Sequence, residues 1–284
     1  MKIVRTVAEW QQWCDETRLA KRTIGLVPTM GALHAGHVAL IQAAKSHNDT
    51  VVLTIFVNPT QFSNSQDLEN YPRPESADIA VADAAGVDLL VLPSVHEIWP
   101  VFPPPVNYQV GPLGERYEGA DRPGHFTGVA QVVRRLVEIT GECRTYFGEK
   151  DFQQVCVIRE MVRTLDLDVE IQTIATVREE NGLALASRNI RLSAEGKTRA
   201  LSFSRALREV PETSAEEIEL EARQSLEAAG VAVAYVAVVN NESLQRASAH
   251  YEGPARLLLA GEVDGVRLID NGPVFIRSSH AVSN

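Results

Sequence analysis

The chain reads as an α/β protein, a doubly wound parallel sheet with a second, smaller α+β domain. Three observations predict this. Apolar runs of four to seven residues, rich in β-branched side chains, recur through the first 175 positions, as expected of strands buried on both faces. Segments of helical periodicity separate them, which is the alternation that builds a parallel sheet. After about residue 176 the order changes to helices followed by strand-like stretches. The length agrees: 284 residues exceed one domain of about 150 residues. With 45% apolar and 23% charged residues, the chain can bury a sizeable core. The predicted domains are residues 1–176 and 177–284.

Thr6-Val7-Ala8-Glu9 reads as a capping box opening a helix with Val7, Trp10 and Cys14 on one face. Residues 24–27 form a short strand stopped by Pro28, and residues 38–46 a helix after a loop flanked by Gly31 and Gly36. Residues 51–57 are a nearly unbroken β-branched strand ending at Asn58-Pro59. An Ala-rich helix over 75–85 stops at Gly86, and a strand over 88–92 ends at Pro93. A helix over 129–140, a strand over 144–147, a helix over 151–165 and a strand over 169–174 complete the first domain, giving five strands. The second domain carries helices near 193–209 and 214–229, then strands over 231–239, 256–259 and 265–269. Pro103-Pro104-Pro105 marks a stiff irregular excursion, a loop over the site or a subunit contact.

The charge balance is −10, from 27 Lys+Arg and 37 Asp+Glu. A protein whose whole surface binds nucleic acid or anionic membrane is thereby excluded, although a small basic pocket is not. No apolar run reaches the about 18 residues of a membrane span, and Glu9-Trp10-Gln11 interrupts any signal-peptide core. Cys14, Cys143 and Cys156 are odd in number and lack zinc or redox spacing, which favours a reducing, cytoplasmic setting.

In such sheets ligands bind beyond the carboxyl ends of the strands. The most informative stretch there is Leu26-Val27-Pro28-Thr29-Met30-Gly31-Ala32-Leu33-His34-Ala35-Gly36-His37. A strand ends, a glycine-bearing loop follows and a helix begins. Backbone amides at a helix start bind anions, and two histidines three residues apart have N–H groups to offer phosphate. Two blander readings compete: half of a zinc site, although the Glu of His-Glu-x-x-His is absent, and histidines that merely satisfy backbone groups. The pattern resembles the His-x-Gly-His signature of the nucleotidyltransferase superfamily.

Four further segments add to it. Ile55-Phe56-Val57-Asn58-Pro59-Thr60-Gln61-Phe62 leaves a buried strand with two amides at its end. Arg122-Pro123-Gly124-His125-Phe126-Thr127-Gly128-Val129 is a turn entering a helix. Phe147-Gly148-Glu149-Lys150-Asp151-Phe152-Gln153-Gln154 leaves another strand, and Gly182-Leu183-Ala184-Leu185-Ala186-Ser187-Arg188-Asn189 carries hydroxyl and guanidinium donors suited to phosphate. In this order and spacing the five segments resemble the pantothenate synthetases (pantoate–β-alanine ligases) over essentially the whole chain.

The resemblance implies a Rossmann-like domain that binds nucleotide and pantoate, a C-terminal lid, and an AMP-forming ligase of pantothenate biosynthesis. ATP would adenylate (R)-pantoate with release of pyrophosphate, and β-alanine would displace AMP from pantoyl adenylate. It implies that Met30, Gly31, Ala32, Leu33, His34, Ala35, Gly36 and His37 form the ATP loop, with His34 and His37 on the phosphates and His37 as proton donor. It further implies ATP contacts from Gly148, Glu149, Lys150 and Asp151, from Val177 on adenine, and from Leu185, Ala186, Ser187 and Arg188. His34, His37, Lys150 and Arg188 are the catalytic set. Gln61 and Gln154 would hold pantoate, and Gln61 also β-alanine. Mg2+ accompanies ATP, with Asp78 a weak nominee for its ligand that a helix-capping role rivals. Tyr71-Pro72-Arg73 is read as support near the pantoate pocket. A cytoplasmic homodimer without nucleic-acid or membrane partners is also implied, with the site in a cleft between the domains.

Two other functions remain open on the residues alone: adenylyl transfer to a phosphorylated acceptor, which would want more Arg or Lys than Gln61 and Gln154 offer, and a non-catalytic nucleotide sensor, which would need fewer phosphate donors. The chain departs from the family at Ala186-Ser187-Arg188-Asn189, where Ser-Ser-Arg-Asn is common, and at Ala35, where an acidic residue is common. The lost hydroxyl predicts weaker ATP binding. Ala186→Ser is therefore expected to lower the KM for ATP in steady-state kinetics, and unchanged ATP kinetics would refute that expectation.

Overall fold

Thr6 shows how locally this chain decides its elements. Its Oγ1 accepts from the Glu9 backbone N–H at 3.3 Å, and Glu9 Oε2 accepts in return from the Thr6 N–H at 3.3 Å. This reciprocal cap satisfies two orphan donors and starts α1 (Val7–Leu19), whose apolar stripe buries Trp10 and Cys14.

The computed structural model describes residues 1–248 and 250–277, which divide into two units. The first comprises Met1–Glu149 and Gln153–Ala175; the second comprises Lys150–Phe152 and the chain from Thr176. Strands of the first unit are β1 (Lys2–Val4), β2 (Ile24–Thr29), β3 (Thr50–Ile55), β4 (Leu89–Val91), β5 (Cys143–Gly148) and β6 (Val169–Ile174). All pair in parallel, in the order β1-β4-β3-β2-β5-β6. Chain order thus runs outward on one side from β2 and resumes on the other at β5, as in a doubly wound sheet. Around the sheet lie α2 (Ala35–His47), α3 (Ser65–Glu69), α4 (Glu75–Ala84), α5 (Val95–Ile98), α6 (Glu118–Asp121), α7 (His125–Thr140) and α8 (Phe152–Thr164). Leu26, Val52, Leu89 and Val91 face a core shared with α1, α7 and α8, while Val27, Val51, Leu53 and Leu90 face a second core with α2 and α4. Apolar residues on both faces explain why these strands read as continuous runs.

Several sequence expectations need correction. The sheet has six strands among the described residues, not five. β1 is an edge strand of three residues, two of them exposed, too short for a pattern. Pro28 does not stop β2, which continues to Thr29. Pairing with β5 ends at Leu26, so beyond that point the ladder runs only to β3 and the missing Pro28 N–H is tolerated. Both α2 and α7 start earlier than expected, because His34 caps the first and Gly124, in the left-handed region at φ 81°, turns the chain directly into the second. α8 starts one residue late, since Glu149–Asp151 forms a 3-10 turn.

In the second unit α9 (Ala194–Arg208) and α10 (Ala215–Ala228) cover an antiparallel sheet of β7 (Ala232–Val239), β8 (Gly253–Val263) and β9 (Val266–Ile276). The last two strands are longer than predicted and Gly265 belongs to their turn. Asp264 and Gly265, at φ 54° and 69°, join Val263 to its partner Val266, the two-residue hairpin that Asp-Gly favours. A bidentate pair from Arg178 to the buried Asp270, at 2.6 and 2.8 Å, ties the segment entering this unit to β9.

Among the described residues no helix is long and apolar enough to cross a membrane. Cys14, Cys143 and Cys156 are buried and unpaired with one another. Burial pushes the Cys14 thiol up to about 12 and the Cys143 thiol up to about 11, so neither forms thiolate near neutrality. All three are expected to stay silent to a thiol reagent at pH 8 until denaturant is added, and a full equivalent reacting within minutes in native buffer would contradict this packing.

Candidate active site

β2 and β5 stay paired only at Gly25–Arg144 and Leu26–Thr145. Carrying that register three residues on puts Gly148, the end of β5, level with Thr29, the end of β2. Strand order reverses between β2 and β5, the position beyond whose carboxyl ends sheets of this kind bind ligands. Residues 30–37 leave β2 there, and residues 148–151 leave β5.

The first loop turns sharply. Gly31 and Ala32 are both left-handed, at φ 81° and 51°. That geometry leaves a run of amides to satisfy, and side chains take almost all of them. The Gly31 N–H donates to Thr29 Oγ1 at 3.2 Å, the Ala32 N–H to Asp78 Oδ2 at 2.9 Å and the Leu33 N–H to Asp78 Oδ1 at 2.7 Å. The His34 N–H donates to His37 Nδ1 at 3.2 Å, and the Gly36 N–H to His34 Nδ1 at 3.1 Å. The expectation that these backbone amides receive the anion is therefore corrected for residues 31–34 and Gly36. Asp78, weakly nominated for a metal, accepts one loop amide with each oxygen.

Of the readings left open from sequence, the structure displays the one in which the histidines satisfy backbone groups. His34 caps α2, and the pair forms a capping box in which each Nδ1 accepts an amide proton. In the neutral rings the proton then sits on Nε2. Their ring centroids lie 4.1 Å apart. A Cβ on Gly36 would stand 2.8 Å from His34 Cε1, which accounts for the glycine between them.

After β3, the 3-10 turn Pro59–Gln61 presents Gln61. Asn58, 1% exposed, is the hub. Its Nδ2 donates to Gln61 Oε1 at 3.1 Å and to Gly128 O at 3.2 Å; its Oδ1 accepts from Thr60 Oγ1 at 3.0 Å and Trp99 Nε1 at 3.3 Å. Gln61 Nε2 is thereby turned to Met30 Sδ, at 3.1 Å, which joins this turn to the first loop. The segment 122–129, quoted from sequence without a role, buttresses the turn. His125 Nδ1 donates to Gln61 O at 2.8 Å, and a Cβ on Gly128 would sit 2.3 Å from Thr60 O. Tyr71 packs edge-on against Phe62, and Arg73 holds the carbonyls of Leu68 and Tyr71, so this stretch is support, as expected.

A Cβ on Gly148 would meet nothing within 4 Å, so the protein's own packing does not demand glycine at that point. On α8, Gln153 is buried and spent on Leu113 O, Arg116 O and the Glu118 N–H. The neighbouring Gln154 is half-buried. In the second unit Lys150 Nζ lies 3.6 Å from Asp151 Oδ1, and the Lys150 carbonyl accepts from Asn271 Nδ2 at 2.8 Å. Val177 and Leu185 come together there, the Leu185 N–H donating to Val177 O at 3.0 Å. Ala186 leads into the 3-10 turn Ser187–Arg191, which carries Ser187 and Arg188 and is held by Asn189 Nδ2 on Ala184 O at 2.9 Å.

The family described as Pantoate-beta-alanine ligase matches residues 2–273. The chain belongs to that ligase family. Pantothenate synthetase of Paracoccus denitrificans is 46% identical over 281 residues, covering 97% of this chain and 99% of that protein. The enzyme of Cereibacter sphaeroides is 45% identical over 278 residues, covering 96% and 99%. Among solved structures, pantothenate synthetase from Thermus thermophilus superposes with a TM-score of 0.89 at 43% identity, covering 96% of this chain and 99% of that one. Pantoate-beta-alanine ligase from Francisella tularensis, complexed with beta-gamma ATP and beta-alanine, gives 0.82 at 34% identity, covering 96% and 97%. The α/β fold with its small antiparallel domain, inferred from the residues, is the fold of these ligases.

Sequence reasoning missed Asn58 as the hub, His125 and Asp78 as props, and Thr29. Their signal lies in contacts between distant segments rather than in local pattern. The cap that His34 makes and the nucleotide contact expected of it can be separated by substitution. Asn is as good an N-cap as any residue but lacks a ring Nε2. His34→Asn is expected to hold its unfolding free energy, measured by urea titration, within a few tenths of a kcal/mol of the parent, while His34→Ala loses about 1 kcal/mol; both are expected to raise the KM for ATP. Equal stability of the two variants, or ATP kinetics preserved in the Asn variant, would contradict the arrangement.

Proposed function

We propose that this chain catalyses the ATP-dependent condensation of (R)-pantoate with β-alanine to pantothenate, AMP and pyrophosphate, through pantoyl adenylate. The observation that carries the reading is the His34–His37 capping box: it spends both Nδ1 atoms on the backbone and thereby sets two Nε2–H donors at the head of α2, where strand order reverses.

A carboxylate is a poor electrophile, and adenylation supplies the leaving group. A pantoate carboxylate oxygen attacks the α-phosphorus of ATP and pyrophosphate departs. The β-alanine amine then attacks the activated acyl carbon and AMP departs. The protein has to position these groups and stabilise phosphate charge. His34 and His37 donate hydrogen bonds from Nε2 to phosphate oxygens; with its Nδ1 taken by the His34 N–H, the neutral His37 ring stabilises charge and transfers no proton. Lys150, Ser187 and Arg188 add donors, Asp151 accepts from ribose hydroxyls, and Gly148 and Val177 line the nucleotide with backbone. Gln61, oriented by Asn58, offers its amide N–H to the hydroxy acid and to β-alanine, and Gln154 adds a second neutral amide. Mg2+ would screen phosphate charge when bound, and no protein ligand is assigned to it. The reading extends to a cytoplasmic homodimer whose second unit acts as a lid.

AMP release in a coupled assay is expected only when pantoate and β-alanine are both present; ATP turnover without either would overturn the reading. His37→Ala is expected to cut turnover on the order of 10²–10³, the scale of losing one transition-state donor. A variant within twofold of the parent would remove His37 from the mechanism.

A further inference from the structure

Asp78 is a buried carboxylate, 2% exposed, on the first turns of α4. Helix capping does not account for it, since its oxygens accept from Ala32 and Leu33, 46 and 45 positions away in sequence. The two acceptors meet two successive amides of one loop, at 2.9 and 2.7 Å. Those amides point the same way because the backbone at Gly31 and Ala32 is left-handed, and at Ala32 a side chain makes that conformation unfavourable. Something must hold it. A charge-assisted pair of hydrogen bonds does so, and the space is filled to match: a Cβ on Gly31 would lie 2.8 Å from Asp78 Oδ2 and 2.9 Å from Ile55 Cγ2. The next residue is His34, whose N–H donates to His37 Nδ1. The direction of both imidazoles is thus set at the point where Asp78 lets go of the chain. The carboxylate also withdraws two amides from the anion, leaving recognition to the rings.

We propose that Asp78 is a positioning residue for the adenylation half-reaction: by clamping the Ala32 and Leu33 amides it fixes the loop that aims His34 and His37 at ATP. The inference rests on the ligase reading given above. Asp78 touches no reacting atom in this role, so its loss should weigh on one half-reaction and spare the other.

Asp78→Asn keeps the shape but faces one loop N–H with another donor, so at most one of the two bonds survives. In the folded variant, pantoate-dependent exchange of pyrophosphate into ATP is expected to fall at least tenfold. Aminolysis of supplied pantoyl adenylate by β-alanine is expected to stay within twofold of the parent. Exchange within twofold of the parent, or an equal loss in both half-reactions, would overturn the proposal. Should the Asn variant fail to fold, hydrogen exchange on the parent decides: protection of the Ala32 and Leu33 amides by a hundredfold or more supports the clamp, and exchange at unprotected rates refutes it. Absence of pantoate-dependent exchange in the parent would instead strike the ligase reading itself, so the two failures are told apart.

Discussion

Pairing between β2 and β5 lasts for two residue pairs and then stops, and much of the rest follows from that divergence. It frees β2 to carry Pro28 without losing a ladder bond on its β5 side. It also forces the chain leaving β2 to turn at once, through left-handed residues at Gly31 and Ala32, into the start of α2. A turn so tight aligns amides that must find acceptors. Thr29, Asp78, His34 and His37 provide them. The 30–37 loop thus differs from a glycine-rich cradle that presents bare backbone N–H groups, because side chains meet the amides of Gly31, Ala32, Leu33, His34 and Gly36.

This division of labour suits an acidic protein. The chain carries −10 overall, yet its inferred nucleotide is a polyanion. Neutral imidazoles whose tautomer is set by a cap add donors without adding net charge, and few cations, Lys150 and Arg188, complete the proposed set. The Gln61 amide is set in another way. Asn58 saturates its own amide on Thr60, Trp99, Gly128 and Gln61, and in doing so chooses which end of the Gln61 amide faces Met30. Gln61 is rigid because its neighbour has no hydrogen-bonding freedom left.

Elements written in short stretches of chain were legible from the residues. The Thr6–Glu9 cap, the doubly buried run of β3 and the limits of β6 needed no partner to be recognised. His34, Gly36 and His37 were legible as a motif too, although several readings of the histidines competed, and the structure shows both Nδ1 atoms engaged in capping the backbone. What escaped was written in pairs of distant positions. β1 is three residues long and exists because Leu89–Val91 offers it an edge. The segment 122–129 supports Gln61 from 64 positions away. Asp78 looked like a helix-capping acid because its partners are far away in sequence.

The sequence by itself determined the class of fold, the order of its elements and the residue types offered to nucleotide and acid, because periodicity, caps and short motifs are properties of neighbouring positions. Only the tertiary structure decided which donors stay available. That depends on which amides, carboxylates and rings are already spent on one another, and hydrogen-bond saturation is a sum over contacts that no local stretch of chain contains.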